Sequence, residues 1–218
     1  MTGCYPPRVH ISHDTDFAIE LCRQYPLAHF ITHAGEEGGP HATRIPVSVR
    51  AGAGGIERAV GHVNLSNPQA RELDGRQCLL SFSGPDAYVS PFFRLSRDRG
   101  PTWDYAEVKI RGTVSVRDDR EFFKTMVTEL ARTGEQTDAV LHHGRPWNTT
   151  DVSDDYIDRL RQYVCAFEIS IDDVSIVRKF HQDFSPADAM SVATNLGMSQ
   201  RQSSQAVASQ IVKEARSR

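Results

Sequence analysis

Gly61-His62-Val63-Asn64-Leu65-Ser66-Asn67-Pro68-Gln69, then Gly84-Pro85-Asp86-Ala87-Tyr88-Val89-Ser90-Pro91, then Pro101-Thr102-Trp103-Asp104-Tyr105 leading to Gly112, are the segments that decide the fold. Between and around them the pattern is that of short strands. Arg58 to Val63 and Cys78 to Ser83 are apolar segments of strand type, separated by a polar stretch in which Asn67 to Leu73 reads as a short helix. Glu107 to Val116 is the clearest strand, because Val108, Ile110, Thr113, Val114 and Val116 enrich it in β-branched residues. Gly112 within it suggests a bulge or bend.

Outward from this centre, Asp14 or Thr15 caps a helix that Tyr25-Pro26 ends. Leu27 to Thr32 and Ala42 to Val49 read as a hairpin about the glycine turn at 35–39, and Ala51 to Gly55 is a second turn. Asp118 or Asp119 caps an amphipathic helix over Arg120 to Arg132. Thr133 to Asp151 reads as irregular. A further helix follows over Asp154 to Val164, then two strands, Ala166 to Ile171 and Val174 to Phe180. Many short strands with helices at their ends indicate an α+β barrel with peripheral helices. The expected division is one domain over 1–185 and a polar helical tail over 186–218, weakly packed because Val207, Ile211 and Val212 are its few apolar points.

A chain of 218 residues with 39% hydrophobic and 24% charged residues fits one large globular domain. No apolar run is long enough to span a bilayer and Met1 to Arg8 lacks a secretory pattern, so a cytoplasmic protein is expected. The four cysteines, Cys4, Cys22, Cys78 and Cys165, lie far apart and read as buried or idle thiols rather than a zinc or redox pair. A formal charge of -3 disfavours nucleic acid as a partner. There is no G-x-S-x-G elbow, H-E-x-x-H pair or P-loop.

The three central segments, in their order and spacing, resemble the PaiB-like family, whose pattern runs GH, NPQW, GPxAYxSPSWY, PTWNY and a closing glycine. The resemblance extends from Tyr5-Pro6-Pro7 to about Asp183. It implies a split β-barrel of the flavin-reductase or pyridoxamine-oxidase type, usually a homodimer with a cofactor at the subunit interface. Members are described mostly as FMN-binding proteins or transcriptional regulators. A branch that includes the piperazate synthases binds haem b and forms a nitrogen-nitrogen bond. This chain departs from the common pattern at Phe92-Phe93-Arg94, at Ala42-Thr43-Arg44-Ile45-Pro46 and at Lys179-Phe180-His181-Gln182-Asp183, while Pro40-His41 is similar to the haem branch.

The resemblance therefore implies haem b, with FMN as the alternative, and a haem-dependent enzyme that cyclises an N-hydroxylated diamino acid or amine. The alternatives are an FMN-binding regulator and an FMN-dependent oxidoreductase. A neutral imidazole is a good axial ligand for haem iron, so His62 is the first candidate and His41 the second; either could equally be a packed or turn histidine. Tyr88 is a candidate proton donor for N-O cleavage, or a packed aromatic residue. Arg44, Arg94 and Lys179 could hold a phosphate or propionate, or be solvated charges. Trp103 and Tyr105 could wall the pocket or pack the barrel. His142-His143 reads as an exposed loop pair.

Overall fold

The computed structural model describes residues 6–33, 39–137 and 147–216. The His142-His143 pair, Cys4 and most of the 35–39 turn lie outside the described residues. The chain divides into two compact units: residues 14–82 with 108–174, and residues 1–13 with 83–107 and 175–218. Three long strands, β5 (Gln77–Val89), β6 (Thr102–Val116) and β7 (Val164–Lys179), contribute one end to each.

The larger unit is the barrel. It is built on β2 (Leu27–His33), β3 (Pro40–Gly52) and β4 (Gly55–Asn64) with the shared strands, hydrogen-bonded in the order β7-β4-β3-β2-β5-β6, and β6 pairs back to β7. Closure of this kind removes the exposed edges that an open sheet would leave. The pairings are antiparallel, and their registers put Phe30 beside Leu80, Val47 beside Gly61, and Gly61 beside Phe167. Alternation along each strand then sends Phe30, Val47, Val63, Leu80, Phe82, Phe167 and Ile169 to one face, all buried. Phe30 and Phe167 stack with ring centroids 4.9 Å apart.

Two glycines permit that packing. A Cβ at Gly61 would stand 3.4 Å from the Phe167 ring and 3.3 Å from the Pro46 carbonyl. At Gly112 it would stand 2.3 Å from the Ser170 carbonyl oxygen and 2.6 Å from Ile169, so Gly112 lets β6 approach β7 closely. The glycine read in the sequence as a bulge or bend is required here by a close approach of two strands.

Helix α1 (Thr15–Gln24) begins at Asp14, whose carboxylate accepts from the Phe17 amide at 2.9 Å. Helix α2 (Arg120–Thr137) begins at Asp119, which accepts from the Phe122 amide at 2.7 Å. It runs five residues beyond the expected end at Arg132, because Thr133 to Thr137 contain no breaker except Gly134. Phe122, Phe123 and Met126 of α2 pack with Ile157 of α3 (Asp154–Arg161) on Val60 and Ala166, the outer face of β4 and β7. The two strands expected over 166–180 are one continuous strand, β7, and α3 stops at Arg161 because β7 starts at Val164.

In the smaller unit, β1 (Ile11–Ser12) pairs with Val177 and Ile176 of β7. The tail is helical as expected, forming α4 (Pro186–Gly197) and α5 (Gln202–Arg216). Its packing is firmer than its composition suggests: Val192, Leu196, Val207 and Ile211 are buried, and Ser203 Oγ clamps Asp86 by accepting from its amide at 2.8 Å and donating to its carbonyl at 2.6 Å. Those few apolar points fall at helical spacing, so they make one face.

Candidate functional site

The Asn67-Pro68-Gln69 segment is a clamp inside the barrel unit. Asn67 starts the 3-10 turn Pro68–Glu72 by accepting from the Gln69 amide at 3.0 Å, and its Nδ2 donates to Thr43 Oγ1 at 2.8 Å. Thr43 donates in turn to Gln69 Oε1 at 2.8 Å, while Gln69 Nε2 donates to Thr32 Oγ1 at 2.9 Å and to the Phe30 carbonyl at 3.3 Å. Gln69 is 3% exposed, so each of these bonds replaces water that it has given up. The clamp fixes the ends of β2 and β3.

Beside it lies a cavity of about 200 Å³ lined by Thr32, His33, His41, Gln69, Arg71 and Glu72. The Glu72 carboxylate is taken by Arg76 at 2.8 Å. The Arg71 and His41 side chains form no hydrogen bond or ion pair among the described residues, so the cavity presents donors suited to an anion.

Arg44 and His62 lie on the opposite faces of β3 and β4 from the barrel core. The pairing of Ser48 with Val60 puts the even-numbered residues of both strands on one face, which carries Arg44, Pro46 and His62; His29 of β2, paired with Arg44, joins them. Arg44 and His29 are exposed, Arg44 with no side-chain partner among the described residues. His62 is half-buried, and its Nδ1 is enclosed without a hydrogen-bond partner. Burial pulls its pKa below 6.5, so the ring is neutral at pH 7. With Nδ1 enclosed, Nε2 is the nitrogen that can meet a ligand.

The remaining candidates belong to the smaller unit. Tyr88 and Trp103 are about half exposed and meet edge to face, with centroids 5.8 Å apart. Tyr88 sits on β5, because the Gly84-Pro85-Asp86 segment continues the strand to Val89. Tyr105 is half-buried on β6, and Lys179 donates to Thr102 Oγ1. Arg94 is an internal anchor. It is 2% exposed and donates from Nη2 to the Gly100 carbonyl at 2.8 Å, from Nη1 to that of Arg99 at 3.1 Å and from Nε to His181 Nε2 at 3.3 Å, which leaves its charge enclosed. His181 Nδ1 in turn meets the Asp104 carboxylate, and both side chains are fully buried. Because Nε2 accepts, the proton is on Nδ1.

Sequence reasoning quoted Asp104, His181, Asn67 and Gln69 within motifs without assigning them roles. The signal was their place in those motifs; the roles depend on partners far along the chain, as with Asp104 and His181.

The closed antiparallel barrel with its peripheral helices defines the class as a split β-barrel. A model of the family described as "Putative FMN-binding domain" matches residues 4–173, and the chain belongs to that family. Protease synthase and sporulation protein PAI 2 of Bacillus subtilis is 26% identical over 162 residues, covering 74% of each chain. An uncharacterized protein of Saccharomyces cerevisiae is 31% identical over 98 residues, 42% of this chain and 58% of that one. Among solved structures, the FAD and haem binding protein from Mycobacterium smegmatis superposes with a TM-score of 0.51 at 21% identity, covering 78% of this chain and 73% of that one. A conserved hypothetical protein from Mycobacterium tuberculosis does so at 0.54 and 12%, covering 78% and 88%. These likenesses are of fold.

Proposed function

We propose that the chain binds haem b against the face carrying Arg44 and His62, as a homodimer, and uses it to close a nitrogen-nitrogen bond in an N-hydroxylated diamino acid or amine. The observation that supports this is His62: a neutral imidazole on a strand that follows a packing glycine, with one nitrogen enclosed and the other left for iron. Arg44, on the same face, would meet a propionate. Bound haem would supply the Lewis acid that engages the N-hydroxylamine. The ring closure is redox-neutral: the N-O bond breaks, the hydroxyl leaves as water after gaining a proton, and the second amine forms the N-N bond and loses a proton. Water can give that proton.

A second reading is favoured by the same imidazole. The Nδ1-H of the iron-binding tautomer has no acceptor among the described residues, whereas the other tautomer keeps Nδ1 bare and offers Nε2-H to an anion. FMN, whose phosphate would suit Arg44 or the His41 and Arg71 cavity, then occupies the site, in an oxidoreductase or a regulator. The absorption spectrum of the protein reconstituted with equimolar haemin and FMN separates the readings: a Soret band is expected, and a flavin spectrum alone would overturn haem. Turnover of an N-hydroxylated diamine to a product lighter by one water is the expected reaction, and no turnover by the haem-loaded protein would limit it to cofactor binding.

A further inference from the structure

The face that carries Arg44 and His62 holds a second basic side chain to which the reading above gives no role. His29 of β2 is the register partner of Arg44 on β3. Partners across an antiparallel pair lie about 4.5–5.5 Å apart at Cα, with their side chains on the same face. Both residues are exposed, and neither side chain forms a hydrogen bond or ion pair among the described residues. Two residues along the strands, on the side of His62, stand the partners Leu27 and Pro46; two residues the other way stand Ile31 and Ala42. Across from His29 on β5 is Ser81. No carboxylate occupies any of these flanking positions.

Cross-strand partners of opposite charge stabilise a sheet, whereas two basic side chains placed directly opposite each other add nothing to it. The fold gives no reason for this pair, and an acidic ligand does. We propose that His29 and Arg44 together anchor the acidic edge of the cofactor, each taking one of the two propionates of haem b; this rests on haem lying against this face as proposed above. Arg44 keeps its charge at every working pH, and an imidazole offers an N-H donor in either protonation state, so both side chains can donate to a carboxylate. Leu27 and Pro46, on the side of His62, offer the apolar contact that suits the ring rather than its acids. Solvent opposes the anchor, because exposed charges are screened. A ring bound over the pair displaces that water, and the attraction strengthens as the local dielectric falls.

The test compares haemin with haemin dimethyl ester, which keeps the ring and the iron and masks both acids. Soret titrations at pH 7 are run on the full chain and on His29→Gln, Arg44→Gln and the double variant. The wild-type chain should bind haemin about tenfold or more tighter than the ester, the worth of at least one charge-assisted hydrogen bond. Each single variant should lose about tenfold in haemin affinity, with the ester affinity and the Soret position unchanged, and the double variant should bind both porphyrins alike. Equal binding of haemin and ester by the wild-type chain, or haemin affinity untouched by His29→Gln, would overturn the anchor. So would a displaced Soret band in His29→Gln, which would make His29 a ligand of the iron. In each of these cases haem still binds the wild-type chain and the haem reading stands. If neither porphyrin binds the wild-type chain, the haem reading itself fails and the anchor fails with it.

Discussion

Two sets of polar residues rich in arginine and histidine look alike in the sequence and behave in opposite ways in the structure. In the smaller unit, Arg94, His181 and Asp104 are buried and bonded to one another, and Phe184 stacks on His181 at 4.4 Å and lies under the Arg94 guanidinium at 4.5 Å. In the barrel unit, the Arg44 and Arg71 guanidiniums and His62 Nδ1 have no hydrogen-bond partner among the described residues. Buried charges bonded to one another hold the fold, although Asp104 Oδ1 has no hydrogen-bond partner among the described residues, whereas an exposed guanidinium such as that of Arg44 is available to a ligand. The difference separates anchors from candidate binding groups, although both sets contain arginine and histidine within motifs.

Substitution should break this comparison most visibly on the anchored side. Asp104→Ala leaves the buried His181 Nδ1-H without its acceptor and removes the only carboxylate of the Arg94–His181–Asp104 chain, and about 3–5 kcal/mol of stability should be lost in denaturant unfolding. A loss below about 1 kcal/mol would show that the network does not hold the unit. Gly112→Ala should cost about 1–3 kcal/mol, since the new methyl meets the backbone of β7 rather than a flexible side-chain tip. Gln69→Ala unpairs Thr32 and the Phe30 carbonyl and should cost roughly 1–3 kcal/mol. Arg44→Ala, by contrast, should change stability by less than about 0.5 kcal/mol while weakening cofactor binding.

The histidines sharpen the contrast through pH. Burial depresses the folded pKa of His62 and of His10 below 6.5, so the unfolded chain binds protons more readily. Their contribution is intact above pH 6.5 and is lost as pH falls through the lower folded values. Melting temperature should therefore decline below pH 6.5, and His62→Gln should flatten part of that decline. Asp188 works at lower pH: bonds from the Ser96 amide foremost, then Ser185 and the Ser96 hydroxyl, hold its carboxyl at about 2, so its contribution persists above pH 4 and fades toward pH 2.

Much of the barrel was legible in the sequence. Alternating apolar residues place Leu27 to Thr32 and Arg58 to Val63 as strands, and Asp14 and Asp119 fall where helices must be capped, because both signals are local. Gly112 was legible as special but not as a close approach, since its neighbours on β7 are more than fifty residues away in the chain. The site was legible as motifs rather than as roles. Arg94 and Arg44 are the same residue type, and only the carbonyls of Arg99 and Gly100 reveal that the first is spoken for. The tail was underestimated because Val207 and Ile211 are few, yet one helical face needs few.

The account rests on His62 meeting the cofactor. Equilibrium titration of the wild-type chain and of His62→Ala with haemin tests this directly. The account predicts that the variant loses the Soret signature of a histidine-ligated iron and that its affinity falls by more than about a hundredfold, beyond what loss of a supporting residue would cause. An unchanged spectrum with unchanged affinity would contradict it and move the iron, or the flavin, to another group.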